Sequence, residues 1–162
     1  MIVVSNTSPI TNLAAIGQLN LLQQLYQQIV IPQAVYQELT RYGETIPGAL
    51  EVQTLPWIQR QTVADHTLVT SLSYQLHEGE SEAIALAIEL NADWLLIDEQ
   101  LGRKVASERG LRLAGIIGTL IEAKRRGFIS AVKPYLDDLI TRADFWVSQA
   151  LYARVLQIEG EQ

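Results

Sequence analysis

The chain has 162 residues, of which 48% are hydrophobic and 19% are charged, a composition typical of one globular domain with a substantial apolar core. No apolar run approaches the ~18 residues that a membrane-spanning helix needs, and the N-terminus lacks the basic segment of a signal peptide. The absence of cysteine excludes disulfides and thiolate metal sites, and we therefore expect a cytoplasmic protein with no membrane contact. The net charge of −6 argues against wrapping duplex DNA, although bound divalent ions would reverse the sign of an acidic cleft.

Short apolar runs alternate with helical patterns in the first part of the chain. The pattern predicts a strand at 2–4, helical turns over 8–26 with a break near Gly17, a strand at 28–31, a helix to about Leu39 and a strand at 57–64. Pro32 suits the first turn of its helix because a missing N–H costs nothing there. Between these elements, residues 40–57 carry two glycines and two prolines and predict a long loop with at most one helical turn.

The second part of the chain continues the alternation. It predicts helices at 67–77 and 79–90, a strand at 94–97, a helix at 101–109, a strand at 111–114 and helices at 116–126, 130–142 and 144–157. Strands that alternate with helices predict an α/β fold with a mostly parallel central sheet. The strands are short and almost wholly apolar, as expected when helices cover both faces of the sheet.

Carboxylates stand at or beside the ends of these apolar runs. They are Glu38, Glu80, Glu82, Asp98 and Glu99. The first strand is followed instead by Asn6, where a carboxylate would complete the set. The carboxyl ends of parallel strands share one edge of a sheet, so these side chains could meet there in spite of their separation in sequence. Converging carboxylates favour a hard cation such as Mg²⁺ or Mn²⁺.

Each of these residues also has a plain structural explanation. Asn6, Thr7 and Ser8 precede a helix and could cap it, while Glu38 could be a solvated helical residue. The acids at 78, 80 and 82 suit the positive end of a helix dipole, so at least one of them should do only that. Of these three, Glu82 is the preferred site residue because it is expected to face the sheet edge, and Glu80 is its alternative. Asp98 could cap the helix that begins near residue 100.

The basic residues are similarly ambiguous. Arg103 could pair with an acid of the site, contact a phosphate or form a surface ion pair. The densest basic run ends a helix, where cations are favoured, and RNA contact is its alternative role; the run consists of Lys124, Arg125 and Arg126. The segment "GIIG" at 115–118 lacks the Walker lysine and the spacing of a dinucleotide-binding loop, so no nucleotide cofactor is expected.

Four segments in order, "VSNTSPI", "GESEAIALA", "LLIDEQLGRKVA" and "GIIGTLIEAKRRGFI", together with a terminal "YARVLQIEGE", resemble the PIN-domain superfamily. The resemblance is to its branch of small prokaryotic proteins related to the VapC-like toxins of type II toxin–antitoxin pairs. It implies a single domain over 1–162, built as a three-layer α/β/α sandwich with a C-terminal helical extension over about 130–162. It also implies a Mg²⁺- or Mn²⁺-dependent endoribonuclease that forms a homodimer or higher homo-oligomer and binds a small antitoxin.

The resemblance also assigns roles to individual residues. The family's acidic positions fall on Asn6, Glu38, Glu82 and Asp98, with Glu99 a rival for the last metal ligand. This makes Glu38, Glu82 and Asp98 the expected catalytic residues. The positions of Thr7 and Ser8 match the small hydroxyl residues that support such a site.

Asn6 departs from the family pattern. Its amide oxygen can ligate a metal, but it brings no negative charge and cannot act as a base. One hypothesis is therefore an active endoribonuclease of the toxin type, and the alternative is a catalytically weak PIN-like module that binds RNA or protein. A third hypothesis is a phosphatase-like metal enzyme.

Overall fold

A computed structural model describes all residues from Met1 to Gln162, and its five strands form one parallel sheet. The strands are β1 (Val3–Ser5), β2 (Ile29–Pro32), β3 (Ile58–Gln61), β4 (Trp94–Leu96) and β5 (Leu113–Ala114). They lie in the order β3-β2-β1-β4-β5, and every pair is parallel. The predicted α/β fold is confirmed, and the sheet is wholly rather than mostly parallel.

Ten helices connect and flank the strands. They are α1 (Thr7–Ala15), α2 (Asn20–Tyr26), α3 (Gln33–Thr40), α4 (Ala49–Thr54), α5 (His66–Leu72), α6 (Glu78–Glu89), α7 (Gln100–Glu108), α8 (Ile116–Arg125), α9 (Lys133–Arg142) and α10 (Gln149–Glu159). None of them is long and apolar enough to cross a membrane.

Most predicted elements are found, with small differences at their ends. The segment that was expected to be a long loop contains α4, which begins directly after Gly48 (φ 99°), a left-handed position that glycine adopts without strain. Pro32 ends β2 as the residue before α3 instead of lying in the helix. Its fixed φ suits an extended residue as well as a helical one, so the sequence pattern does not separate the two.

Alternation along the strands divides the core into two layers. Val3, Ile29 and Leu96 point to one face of the sheet and pack with leucines and isoleucines of α1, α2 and α8. Val4 and Leu95 point to the other face and pack against α5, α6 and α7. A parallel sheet covered on both faces by helices is a three-layer α/β/α sandwich.

The two C-terminal helices belong to the first of these layers. Leu136 and Leu139 of α9 and Val155 of α10 are buried in the same apolar cluster as β1 and β2. A polar contact closes the layer: the Glu161 carboxylate accepts hydrogen bonds from the backbone N–H groups of Val132 and Lys133, each at 2.8 Å. These donors lie at the beginning of α9, where helical N–H groups lack partners within the helix.

Replacing Glu161 by alanine should lower the free energy of unfolding by about 1–2 kcal/mol, because two N–H groups lose their acceptor. The substitution also removes one partner of the Lys124 ammonium, which lies 2.9 Å from the carboxylate. Urea unfolding followed by circular dichroism measures the change. Glu108→Ala is the control, because Glu108 is exposed and has no ion pair or hydrogen bond through its side chain. Equal midpoints for the two variants would contradict the prediction.

Candidate functional site

The candidate site lies at the carboxyl edge of the sheet, between β1 and β4. The chain builds β1, β2 and β3 outward in one direction and then returns to place β4 on the other side of β1. Such a reversal leaves a crevice beyond the strand ends, which is where ligands bind in open α/β sheets. The backbone N–H of Asn6 donates to the carbonyl of Leu96 at 2.9 Å. Asn6 and Asp98 therefore lie at the ends of adjacent strands.

Asp98 is held by one of its two carboxylate oxygens. Its Oδ1 accepts a hydrogen bond of 2.9 Å from the backbone N–H of Ile116, at the positive end of α8. Its Oδ2 is buried and has no hydrogen-bond partner. Burial raises the pKa of Asp98, and the Ile116 N–H and the charge of Arg103 offset this only in part. The suggested cap of α7 is not the role of Asp98, because Glu99 is the N-cap residue of that helix.

Glu38 connects α3 to the beginning of α1. Its Oε2 accepts a hydrogen bond of 2.5 Å from the hydroxyl of Thr7, the first residue of α1. The same carboxylate lies directly against Gly79 in the first turn of α6. Thr7 thus lies where the resemblance expects a supporting hydroxyl, and Glu38 is oriented rather than freely solvated.

Glu80 and Glu82 project from α6 in different directions, because helical residues two positions apart in sequence lie about 200° apart around the helix axis. Glu80 is only 6% exposed, and its carboxylate lies against Gly102 of α7. Burial, reinforced by the charge of Glu99 and to a smaller extent that of Glu38, raises the pKa of Glu80. The crevice therefore contains Glu80 together with Glu38 and Glu99.

Glu82 has a different partner from the one expected. Its carboxylate accepts a hydrogen bond of 3.1 Å from the backbone N–H of Ala34, in the first turn of α3. Glu82 thereby supports the helix that carries Glu38. This contact engages only Oε1, so it directs Glu82 toward α3 without excluding it as a ligand. Glu80, which is buried in the crevice, is proposed as the metal-site residue from α6, and the metal role of Glu82 stays a prediction.

The side chains of Asn6 and Ser8 do not cap α1. Asn6 occupies the N-cap position and is only 3% exposed, but its amide makes no capping hydrogen bond. The Ser8 hydroxyl is buried and has no hydrogen-bond partner. The capping explanation therefore fails for these side chains, and both leave an oxygen free near the end of β1.

The predicted basic contacts are largely occupied within the chain. Arg103 donates from Nη1 to the carbonyl of Ile97 at 2.7 Å, which places its guanidinium beside the segment that carries Asp98. The ammonium of Lys124 is bound by Glu161, and Arg125 pairs with Glu122.

Arg126, the last of the basic run, donates to the carbonyl of Leu25 and lies over the ring of Phe128. Each of these three cations has an intramolecular partner, and RNA contact through residues 124–126 stays a prediction.

The donor atoms fit a partly hydrated hard cation better than an ion enclosed by protein alone. No group of three or more acidic or histidine side chains is gathered tightly enough to hold a metal by itself. Mg²⁺, however, keeps several waters and needs only one or two carboxylates together with substrate phosphates. The unpartnered Oδ2 of Asp98 and the amide oxygen of Asn6 are oxygen ligands of the type that Mg²⁺ prefers. Glu38 and Glu80 would complete the set, directly or through water.

These features define a class of protein: a parallel α/β sandwich with an acidic crevice at the reversal of its strand order. A family model described as a PIN domain (DUF3368) matches residues 2–161, and the chain belongs to this family. The resemblance to the PIN-domain superfamily is thus confirmed. PIN domains are generally nucleases that use divalent metals.

A solved structure of a PilT N-terminus domain protein, SSO1118 from Sulfolobus solfataricus P2, has the same fold. It superposes with a TM-score of 0.58 at 24% sequence identity, and the match covers 76% of this chain and 93% of that one. No curated protein matches the chain.

The raised pKa of Glu80 makes a prediction for the metal-free protein. The folded state binds this proton more tightly than the unfolded chain does, so stability is lost as the pH rises from the unfolded pKa, about 4.3, through the folded value. Glu80→Gln should therefore raise the free energy of unfolding at pH 7, and the gain should disappear below about pH 4. Urea unfolding in EDTA at both pH values measures this.

The matched control is Glu78→Gln, an exposed acid in the same helical turn. This variant should show no comparable gain at pH 7. A Glu80→Gln protein that is less stable than the wild type at pH 7 would contradict the inferred burial of an ionised carboxylate.

Proposed function

We propose that this PIN-domain protein is a Mg²⁺- or Mn²⁺-dependent endoribonuclease that cleaves single-stranded RNA. The observation that carries the proposal is the buried Asp98 carboxylate, which keeps one oxygen without a partner at the carboxyl edge between β1 and β4. Burying a carboxylate oxygen without a partner is costly, and such groups usually serve a ligand or a reaction. Glu38 and Glu80 lie on helices that border the same edge.

Each residue has a distinct task in this proposal. The Ile116 N–H orients Asp98 and leaves its Oδ2 free to bind a metal ion, while the Thr7 hydroxyl orients Glu38. Asn6 adds a neutral oxygen donor from the adjacent strand end. A bound divalent ion would supply Lewis acidity for the phosphodiester and for the attacking water.

Proton transfer is the task proposed for Glu80, which would contact a bound ion through a water molecule rather than directly. Burial moves the pKa of Glu80 upward, toward neutral pH. A general base with a pKa nearer the working pH can accept a proton from water and release it afterwards. An ordinary solvated glutamate is a weaker base for this purpose. The burial of Glu80 between α6 and α7 is what creates the difference.

We also propose, from the resemblance to the toxin branch, that the protein is a toxin of a type II pair and binds a small antitoxin and further copies of itself. One surface feature supports a protein partner. A groove of about 1070 Å³ runs beside β5 and α8 and is lined largely by apolar side chains. Trp146, which lines this groove, is 81% exposed. Light scattering of the purified protein tests self-association.

The second candidate function is a catalytically weak module that binds RNA or protein. Two observations favour it: the first acidic position holds the neutral Asn6, and the crevice gathers no three acids that could hold an ion alone. A weakly held metal would allow binding with little cleavage. No cleavage in excess Mn²⁺, with RNA binding retained, would support this candidate and contradict the endoribonuclease.

Asp98→Asn should reduce Mn²⁺-dependent cleavage of a single-stranded RNA by at least about 100-fold, because it removes the charge from the unpartnered oxygen. EDTA should abolish wild-type cleavage. Glu80→Gln should behave like Asp98→Asn, whereas Glu82→Gln should cost less, roughly tenfold, since it supports the site through α3. The control Glu108→Gln should be unaffected. Equal cleavage in all these samples would indicate a contaminating nuclease and contradict the proposal.

Asn6→Asp should increase affinity for Mn²⁺ by at least about tenfold, because it adds a negative charge beside oxygen donors that would bind the ion. Isothermal titration calorimetry of wild type and variant measures the change without reference to activity. Asn12→Asp, farther along α1, is the control for added charge. Equal affinities for the Asn6 and Asn12 variants would place Asn6 outside the metal site.

A further inference from the structure

Three glycines lie directly against carboxylates of the crevice. Gly79 lies under Glu38, Gly102 under Glu80 and Gly115 under Asp98. None of the three has the positive φ that requires a glycine. Gly79 and Gly102 are in helices, where alanine is the better helix former. The backbone therefore gives no reason for glycine at these positions.

At Gly79 and Gly115 the atom nearest to the missing Cβ is a carboxylate oxygen, whereas at Gly102 the Cδ1 atom of Ile97, at 2.7 Å, is slightly nearer than the carboxylate. A Cβ on Gly79 would overlap Oε1 of Glu38 and lie 2.9 Å from its Cδ. A Cβ on Gly102 would lie 2.9 Å from Oε2 of Glu80, and one on Gly115 would lie 2.8 Å from Oδ1 of Asp98. These separations are too short for non-bonded atoms, so a methyl group and the observed carboxylate exclude each other.

We propose that Gly79, Gly102 and Gly115 are positioning residues, because the missing side chain of each leaves room for the carboxylate of Glu38, Glu80 or Asp98, respectively. Each such glycine is called the seat of its carboxylate. A methyl group at a seat displaces its carboxylate, although the chain still folds. What the carboxylates then do rests on the proposed function, but their placement on glycines does not. The seats also distinguish Glu80 from Glu82, which is not among the atoms nearest to any glycine.

Gly79 is the cleanest of the three seats to test. The three atoms nearest to its missing Cβ all belong to the Glu38 carboxylate, which is the far end of a flexible side chain and moves at little cost. Gly102 also lies against the buried side chain of Ile97, and Gly115 against Arg103, so substitutions there disturb more than one group.

The chain supplies a matched control in Gly118. This residue lies inside α8, has no positive φ, is exposed and has nothing within 4 Å of the position of a Cβ. Gly118→Ala therefore repeats the same chemical change without a seat. Both alanine variants should keep the urea midpoint of the metal-free protein or raise it, because alanine favours the helix.

The two variants should differ in metal binding. Gly79→Ala should weaken Mn²⁺ binding by at least about tenfold, the usual effect of losing support for a ligand, whereas Gly118→Ala should leave it unchanged. Glu38→Asp provides a double-mutant cycle, because the shorter side chain withdraws from the seat. Adding Gly79→Ala to Glu38→Asp should then weaken binding little further, and additive losses would contradict the seat.

Crystal structures of the metal-free variants test the placement independently of metal and activity. In Gly79→Ala the Glu38 carboxylate should leave the Thr7 hydroxyl, which it contacts at 2.5 Å in the wild type, while Gly118→Ala retains the contact. An unmoved carboxylate, or a Gly79→Ala protein that does not fold, overturns the inference. A wild type that neither binds Mn²⁺ nor cleaves RNA overturns the proposed function, and the crystal structures then decide the seats alone.

Discussion

The pairing of β1 with β4 is the constraint on which the rest of the structure depends. It places the ends of two strands, 91 residues apart in the chain, side by side, with Ser5 opposite Leu96. Every other part of the crevice follows from it: α3 and α6 cover the edge from one side, and the beginning of α8 meets it at Asp98. Because the strands themselves are only two to four residues long, the helices must hold them in register through the two apolar layers.

The crevice concentrates acids in a place where burial disfavours their charge. Burial raises the pKa of both Glu80 and Asp98, and the charge of Glu99 raises each of them further. A neutral Asn6 limits this repulsion in the metal-free protein, because it contributes an oxygen without a further charge. The same residue weakens the attraction for a cation. Asn6 thus shifts the balance between stability without metal and affinity for metal, a balance that is common at functional sites.

The sequence was sufficient for the fold and supplied candidates for the site. Apolar runs that alternate with helical patterns predicted the parallel sheet, and an acid after a buried strand made Asp98 a candidate site residue. The proposed preference for Glu80 over Glu82 could not be derived from the sequence, because both lie in the same helix and only the packing of α3 against α6 shows that Glu82 accepts from the Ala34 N–H. The signal that could have separated them is Gly102, a glycine inside α7 where no turn is needed and against which the Glu80 carboxylate lies.

Helix α8 has a consequence for how the molecule transmits motion. Its first residue holds Asp98, and Lys124, near its end, donates to the carbonyl of Glu159 and to the carboxylate of Glu161. Ten helical residues span about 15 Å, so one rigid rod joins the crevice to the C-terminal segment. Any tilt of that rod moves both of its ends. A partner that binds α10 and shifts it would therefore act on the Asp98 carboxylate through α8, without contacting Asp98 itself.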